Sequence, residues 1–193
     1  MIRKWLTLSN ILSGLFFAVV IMFVLNHKAK AFVIRSMMKV GFYQPKLPEH
    51  NNTGILVPDL VFKDSNGQDI HLADLKGKVV FIDLWATWCP YCAAEMPGIN
   101  ELYLEEKNNK NIVFIMDDVD GDAGKSLLFM AKHQYSLPVH NLVGKIPADL
   151  ADGTIPTTFV VDKSGHIVYK HVGSADYSNP KMLAYLNQLA SAQ

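Results

Sequence analysis

The segment FIDLWATWCPYC, residues 81–92, decides the fold because it joins a strand pattern to a helix pattern at a pair of cysteines. Residues 78–85 form a nearly unbroken apolar run rich in β-formers, which predicts a central strand covered on both faces. From Pro90 onward the apolar residues recur at helical spacing, and a proline in the first turn of a helix loses no needed donor. Cys89 is therefore predicted to lie at a helix N-terminus.

These two cysteines are the only two in the chain. Unpaired backbone N–H groups and the positive end of the helix dipole favour the thiolate of Cys89, which is the attacking species in disulfide exchange. Cys92 lies one turn further on the same side, where it can form a disulfide with Cys89 and resolve a mixed disulfide. Two alternatives remain open. A zinc half-site would need further ligands at matched spacing, and a purely structural disulfide closing so short a loop would constrain the unfolded chain little.

The segment at residues 85–92 resembles the active site of the thioredoxin superfamily, and within it that of the membrane-anchored TlpA/ResA-like thiol-disulfide oxidoreductases. Glu95 and Pro97 stand where many of these proteins carry Glu-x-Pro. The segment TIPTTF, residues 154–159, is similar to the second signature of the family. The resemblance covers roughly residues 57–189.

This resemblance implies a substrate groove built around Pro156 as a cis-proline beside the cysteines. The main chain of Ile155 would then be available to an extended substrate peptide, in the manner of strand addition. Trp88, Pro90 and Tyr91 are expected to contribute to the same groove. The Pro90-Tyr91 dipeptide departs from the commoner choices of the family and looks more like that of glutaredoxins, which leaves the reduction potential open.

Asp83 is a carboxylate inside the apolar strand that precedes the cysteines. An unpaired charge there would be unfavourable, so the pKa of Asp83 should be raised, which suits a group that takes and returns the Cys92 proton. The position also matches the buried acid of thioredoxins. Glu95 is predicted either to titrate together with Asp83 or to remain in solvent, and an exposed carboxylate is the alternative for Asp83 too.

The chain divides into three predicted regions. Residues 1–26 form a cytoplasmic tip and a transmembrane anchor, because the charge-free stretch of about 20 residues is long enough for a hydrocarbon core of about 30 Å. A cleaved signal peptide is the alternative, since residues 29–31 have a small-x-small form. Residues 27–56 are an amphipathic and linker segment, and residues 57–193 are the thioredoxin-like domain.

The segment after the anchor alternates apolar and basic residues with helical periodicity. Its predicted apolar face comprises Ala29, Phe32, Val33, Met37 and Val40. We consider two interpretations, a basic amphipathic helix lying on anionic lipid and a helix that continues the anchor or packs on the domain. The basic residues here outnumber Arg3 and Lys4, so the positive-inside rule alone would leave the domain in the cytoplasm. The resemblance implies the extracytoplasmic, periplasmic side, which we adopt.

The remaining pattern predicts an α/β domain, a three-layer α/β/α thioredoxin fold with a mixed central sheet. Asn66-Gly67 indicates an N-terminal β-hairpin. An α/β insertion precedes the proline motif, with a short helix at residues 146–151. Residues 117–120 carry three acids, but they lack the pattern of a calcium loop, so we predict a solvated loop that caps the next helix.

Taken together, these patterns predict a thiol-disulfide oxidoreductase that exchanges disulfides with protein substrates and is itself reduced by a membrane electron donor. The family analogy favours a reductase, for example of apocytochrome c or other exported thiols. The alternatives are a dithiol oxidase, a thiol peroxidase, and a copper-binding assembly factor using the cysteines with His133 or His140. We expect no cofactor and no bound metal. The balanced charge, 18 basic and 18 acidic residues, gives no electrostatic reason to expect nucleic acid.

Overall fold

The computed structural model describes residues 8–48, 54–148 and 150–192. The helices are α1 (Leu8–Leu25), α2 (His27–Lys39), α3 (Pro90–Glu106), α4 (Ala123–His133) and α5 (Pro180–Ser191), with a 3₁₀ helix at Leu72–Leu75. The strands are β1 (Val61–Asp64), β2 (Asp69–His71), β3 (Val79–Trp85), β4 (Ile112–Asp118), β5 (His140–Leu142), β6 (Thr157–Val161) and β7 (Ile167–Val172).

The seven strands form one mixed sheet in the order β2-β1-β5-β4-β3-β6-β7. Strand β3 pairs in parallel with β4 and antiparallel with β6. Every residue of β3 is buried, as its continuous apolar pattern predicts for a strand with both faces covered. The predicted hairpin is present as β1 and β2, and Gly67 adopts a φ of 79° in the turn that joins them.

The two faces of the sheet are covered differently. One face carries α3, α4 and α5, whose apolar side chains share a core with alternate residues of β3 such as Phe81 and Trp85. The other face is covered by the 3₁₀ helix and by irregular chain around Leu150. The predicted third helical layer is therefore absent from the described part of the chain. The short helix expected at residues 146–151 is reduced to a turn in which Pro147 O accepts from Leu150 N and Ala151 N.

The N-terminal region forms two helices separated at Asn26, whose side chain accepts hydrogen bonds from Lys28 N and Ala29 N and so caps α2. Within the described residues, none of the helices has both the length and the apolar character needed to cross a membrane. The anchor predicted at residues 1–26 therefore stays a prediction. Helix α2 packs on α3, where Ile34 and Met38 contact Ala94.

Candidate active site

The two cysteines lie where β3 leads into α3, and they are joined in a disulfide. Cys89 is the N-cap residue of α3, and its Sγ accepts a hydrogen bond from Cys92 N at 3.1 Å. The local sequence explains this position, because Pro90 occupies the first turn and cannot donate a backbone hydrogen bond. Both cysteines are buried. The contact from Cys92 N, together with the helix dipole, would stabilise a thiolate on Cys89 after the disulfide opens.

The residues predicted to form a substrate groove lie at the start of α3 and directly before β6. The Ile155–Pro156 peptide bond is cis, which confirms the conformation implied by the family resemblance. Trp88 and Tyr91 are exposed at the start of α3, and Pro90 is partly buried between them. The carbonyl of Tyr91 accepts a hydrogen bond from Ser174 Oγ at 2.9 Å, which ties the start of α3 to the segment after β7.

A cavity of about 260 Å³ adjoins Ile155. Leu84, Asp117 and Val119 line it from the ends of β3 and β4, and Gly144 to Ile146 line its opposite side. A second cavity of about 280 Å³ lies between residues 56–59, the 3₁₀ helix and the turn after β6. The second cavity includes none of the predicted site residues, and of these residues only Ile155 lines the first.

Asp83 is fully buried, which decides between the two environments considered for it. Its Oδ1 accepts a hydrogen bond from Thr158 Oγ1 at 2.8 Å, while its buried Oδ2 has no hydrogen-bond partner. Burial raises the pKa of Asp83 to about 7, the negative charge of Asp117 adds to the rise, and the Thr158 hydroxyl opposes it. A carboxyl group with this pKa can both accept and release a proton near neutrality.

Glu95 is also buried, contrary to the alternative of an ordinary solvent-exposed helix residue. Its Oε2 accepts a hydrogen bond from Ala175 N at 3.1 Å, and its Oε1 has no hydrogen-bond partner. Burial raises the pKa of Glu95, and the charge of Asp83 raises it further. The two acids therefore titrate as an interacting pair, and we refer to Asp83 and Glu95 as the acid pair.

Three partners of the acid pair were not predicted from the sequence. Thr158 lies opposite Asp83 in the antiparallel pairing of β3 with β6. Tyr177 Oη donates to Thr158 Oγ1 at 2.7 Å, and Ala175 N holds Glu95. Thr158 could have been inferred from the strand register, because it follows the proline motif by two residues. Tyr177 and Ala175 lie in the loop before α5, where no sequence pattern marks them.

The acidic run after β4 differs from its prediction. Asp117 and Asp118 belong to β4 and are buried, so the predicted solvated loop is wrong for these two residues. Asp118 accepts hydrogen bonds from Asp120 N, Asp122 N and Ser126 Oγ. Asp122 caps α4 through Lys125 N, as expected for this segment. The apolar environment of β4 thus includes two carboxylates because backbone and hydroxyl donors converge on them.

The contacts found for His133 and His140, the two histidines of the alternative copper site, involve residues other than the cysteines. His140 is buried in β5, where its Nδ1 accepts a hydrogen bond from Met116 N at 3.2 Å. The His133 ring packs against the rings of Phe129 and Tyr135. Among the residues that the structure describes, no group of three or more His, Cys, Asp or Glu side chains is arranged to hold a metal ion.

Sequence comparison identifies relatives that are thiol-disulfide oxidoreductases. The Redoxin family model matches residues 52–186. The thiol-disulfide oxidoreductase ResA of Bacillus cereus is 35% identical over 150 residues, which cover 77% of this chain and 84% of the relative. ResA of Oceanobacillus iheyensis is 30% identical over 145 residues, which cover 72% of this chain and 74% of the relative.

Solved structures share the fold. The solution structure of a Bacteroides thetaiotaomicron protein, described as a protein disulfide isomerase, matches with a TM-score of 0.62 at 25% identity and covers 78% of this chain and 93% of that one. The exposed lipoprotein thioredoxin of Streptococcus pneumoniae matches with a TM-score of 0.54 at 25% identity, covering 68% of this chain and 100% of that one. The predicted thioredoxin-like α/β fold with a mixed sheet is thereby confirmed.

Proposed function

The chain belongs to the Redoxin family and, within it, to the ResA-like thiol-disulfide oxidoreductases, and from this premise we propose that it reduces disulfides of exported proteins through Cys89 and Cys92. The observation that carries the proposal is the buried disulfide at the N-terminus of α3, packed on the same side of the sheet as two acids with raised pKa values. This arrangement supplies a nucleophile, a resolving thiol and a proton acceptor.

In the proposed reaction the reduced protein donates two electrons to its substrate. The Cys89 thiolate attacks one substrate sulfur, the substrate disulfide breaks, and a mixed disulfide with Cys89 forms. Cys92 then attacks Cys89 Sγ, so that the bond between Cys89 and the substrate sulfur breaks, this sulfur leaves as a thiolate, and the Cys89–Cys92 disulfide closes. The product is a substrate dithiol, and a membrane electron donor must return two electrons to the protein before the next cycle.

The acid pair accepts the proton of Cys92 in the second step. Cys92 is fully buried, so its proton needs a nearby acceptor before the thiolate can attack. Asp83, with a pKa of about 7, is our proposed acceptor, and Glu95 shares the proton through its interaction with Asp83. The proton can then pass to the departing substrate thiolate. We propose that the substrate chain pairs with the main chain of Ile155, next to the cis bond before Pro156.

We place the catalytic domain outside the cytoplasm, held by the anchor predicted at residues 1–26. The absence of charge from residues 5–26 supports the anchor, as do the exposed apolar side chains of Leu15, Phe16 and Phe17. A structural relative is an exposed lipoprotein. We propose the disulfide form of apocytochrome c as one exported substrate of this class. Protease treatment of cells stripped of their outer layers to the cytoplasmic membrane would test the placement, because an extracytoplasmic domain is cleaved and a cytoplasmic one is protected.

The direction of the reaction is tested by the reduction potential of the full-length protein, measured by equilibration in thiol/disulfide buffers. A value near or below the thioredoxin range, about −270 mV, supports the reductase, whereas a value near −120 mV identifies a dithiol oxidase. The Cys92→Ser variant should accumulate a mixed disulfide through Cys89 because the resolving thiol is missing. Rapid consumption of peroxide by that variant, without such an adduct, would identify a thiol peroxidase instead.

A further inference from the structure

Helix α2 has two apolar sides, and only one of them contacts the domain. The inner side packs on α3 through Ala31, Ile34 and Met38, which surround Ala94. The opposite side and the turn that follows it are exposed to solvent. We define the outer face of α2 as the exposed apolar residues Phe32, Val33, Val40, Phe42 and Tyr43.

The predicted apolar face of this helix is therefore not the one that packs on the domain. Phe32 is 72% exposed and Val40 is 73% exposed, although both were predicted to belong to the apolar face. The hydroxyl of Ser36, which lies on the same side, donates to Phe32 O at 2.8 Å. Because this bond satisfies the hydroxyl within the helix, Ser36 does not require water as a partner.

The charge of α2 is of one sign. Its sequence, HKAKAFVIRSMMK, contains four basic residues and no acidic residue. Lys28 and Arg35 are exposed beside the outer face. An apolar strip flanked by basic side chains is the arrangement that binds at the headgroup region of anionic membranes.

The outer face is held rigidly on the domain. Asn26 caps the start of α2, and beyond its end Tyr43 O accepts a hydrogen bond from Asp176 N at 2.9 Å. Gln44 Nε2 donates to Asp176 at 3.3 Å, and Asn179 donates to Gln44. Whatever binds the outer face is therefore positioned relative to α3 and to the N-terminus of α5.

We propose that the outer face of α2 binds the surface of an anionic lipid bilayer, with its aromatic and aliphatic side chains at the boundary between headgroups and acyl chains. Continuity with the exposed apolar side chains of α1 favours lipid as the occupant. A second copy of the chain is less suitable, because a two-fold contact between identical outer faces would bring their basic residues together. The inference rests on the proposed anchor at residues 1–26 and goes beyond it, since an anchor alone does not place α2 on the membrane.

This contact would orient the redox pair. Ala94, which α2 contacts, lies in α3 two residues after Cys92. With its outer face on the bilayer, α2 would hold the exposed rim at Trp88 and Tyr91 at a fixed angle to the membrane. A freely tethered domain would instead present this rim in all directions.

The test uses the full-length protein reconstituted in vesicles that contain acyl-chain-brominated lipids, which quench tryptophan fluorescence by contact. Phe32→Trp reports on the outer face, and Leu128→Trp is the matched control, because Leu128 is also 72% exposed but lies on α4. Val19→Trp reports on α1. The emission of the parent protein, which has three tryptophans, is subtracted from each variant.

We expect loss of Trp emission for Phe32→Trp in phosphatidylglycerol vesicles, weaker loss in phosphatidylcholine vesicles, and no loss for Leu128→Trp. Combining Phe32→Trp with Arg35→Glu and Lys39→Glu should restore the emission. Quenching of Val19→Trp without quenching of Phe32→Trp would overturn the inference and leave the anchor intact. Absence of quenching in both would remove the anchor as well. If the Trp of Phe32→Trp is shielded from water but is not quenched by lipid, and cross-linking gives dimers, the occupant is a second copy of the chain.

Discussion

The acid pair beside the disulfide and Asp118 at the end of β4 are both buried carboxylates in the same sheet region, yet their surroundings differ. Asp118 accepts hydrogen bonds from two backbone N–H groups and from Ser126 Oγ at 2.7 Å. Asp83 and Glu95 each accept one hydrogen bond from protein and each keep one buried oxygen without a partner.

The difference lies in how many hydrogen-bond donors each carboxylate receives. The donors that bind Asp118 fix the loop before α4, and this structural role is enough to explain why the carboxylate is buried. The acid pair lacks such compensation, and desolvation raises the pKa values of both members. Burial alone therefore does not identify the catalytic acid, whereas burial with an unsatisfied oxygen beside a reactive group does.

The largest expected effect is on the pH dependence of stability through Asp83. Its pKa rises from 3.8 in the unfolded chain to about 7 in the native state, so the native state holds the proton more tightly. The contribution of Asp83 to the free energy of unfolding is therefore greatest below about pH 4 and falls by about 4 kcal/mol as the pH rises to about 7. Urea unfolding of the oxidised protein at several pH values should show this loss for the parent and lack the Asp83 contribution in Asp83→Asn.

Thr158→Val provides the matched comparison for that measurement. Removing the hydroxyl that donates to Asp83 removes the interaction that lowers its pKa, so the loss of stability should extend to higher pH. An unchanged pH dependence in both variants would contradict the assignment of a raised pKa to Asp83.

The next effect is on turnover. Replacing Asp83 with Asn should slow the reduction of a protein disulfide at neutral pH by about 10²-fold, the lower end of general acid–base contributions. The pH–rate profile of the parent should change near pH 7, and this change should disappear in the variant. Glu95→Gln should lower turnover without moving this inflection, because Asp83 ionises first and its charge raises the pKa of Glu95. A profile identical to that of the parent in both variants would remove the acid pair from the mechanism.

A smaller effect, on stability alone, is expected from replacing Asp118, whose carboxylate has its hydrogen-bond partners. Asp118→Ala leaves Ser126 Oγ and two backbone N–H groups without their acceptor, and should reduce the free energy of unfolding by about 1–3 kcal/mol. Turnover per folded molecule and its pH profile should remain those of the parent. Chemical denaturation and single-turnover kinetics measured on the same preparation distinguish this outcome from a catalytic role.

The smallest effect concerns Trp88, whose Nε1 donates to Asp120 Oδ2 at 2.7 Å on the exposed rim of the site. Trp88→Phe keeps the aromatic surface and removes this hydrogen bond, so the stability should fall by about 0.5–1 kcal/mol. A rise of the Michaelis constant for a protein substrate with kcat unchanged would indicate that the ring contributes to binding. A change in kcat alone would contradict its placement in the groove.

Local pattern was sufficient to predict the central elements. The apolar run of β3, the Cys-x-x-Cys pair at the start of α3 and the hairpin at Asn66-Gly67 are each encoded within a few residues. The burial of Asp83 also followed from its position in an apolar strand. The cis bond before Pro156 came from family resemblance, because cis X–Pro bonds are only about 5–6% of such bonds in folded proteins.

Other features depend on contacts between distant segments. Asp118 looked like part of a polar loop because its donors, at residues 120–126, become visible only when the chain folds back. Glu95 could not be placed without the loop that brings Ala175 N to it. The face by which α2 packs was also missed, because α2 carries two apolar strips and the sequence does not show which of them α3 covers.

Gly98 shows how closely the site depends on the contact between α3 and the loop before α5. A methyl group at residue 98 would lie 2.9 Å from Ser178 N and 3.3 Å from Tyr177 N, too close for the present geometry. The same loop supplies Ala175 N to Glu95 and Tyr177 Oη to Thr158. A side chain at this position would push the loop outward and carry both donors with it. The proton affinity of the site is therefore adjustable through a residue that neither ionises nor touches substrate.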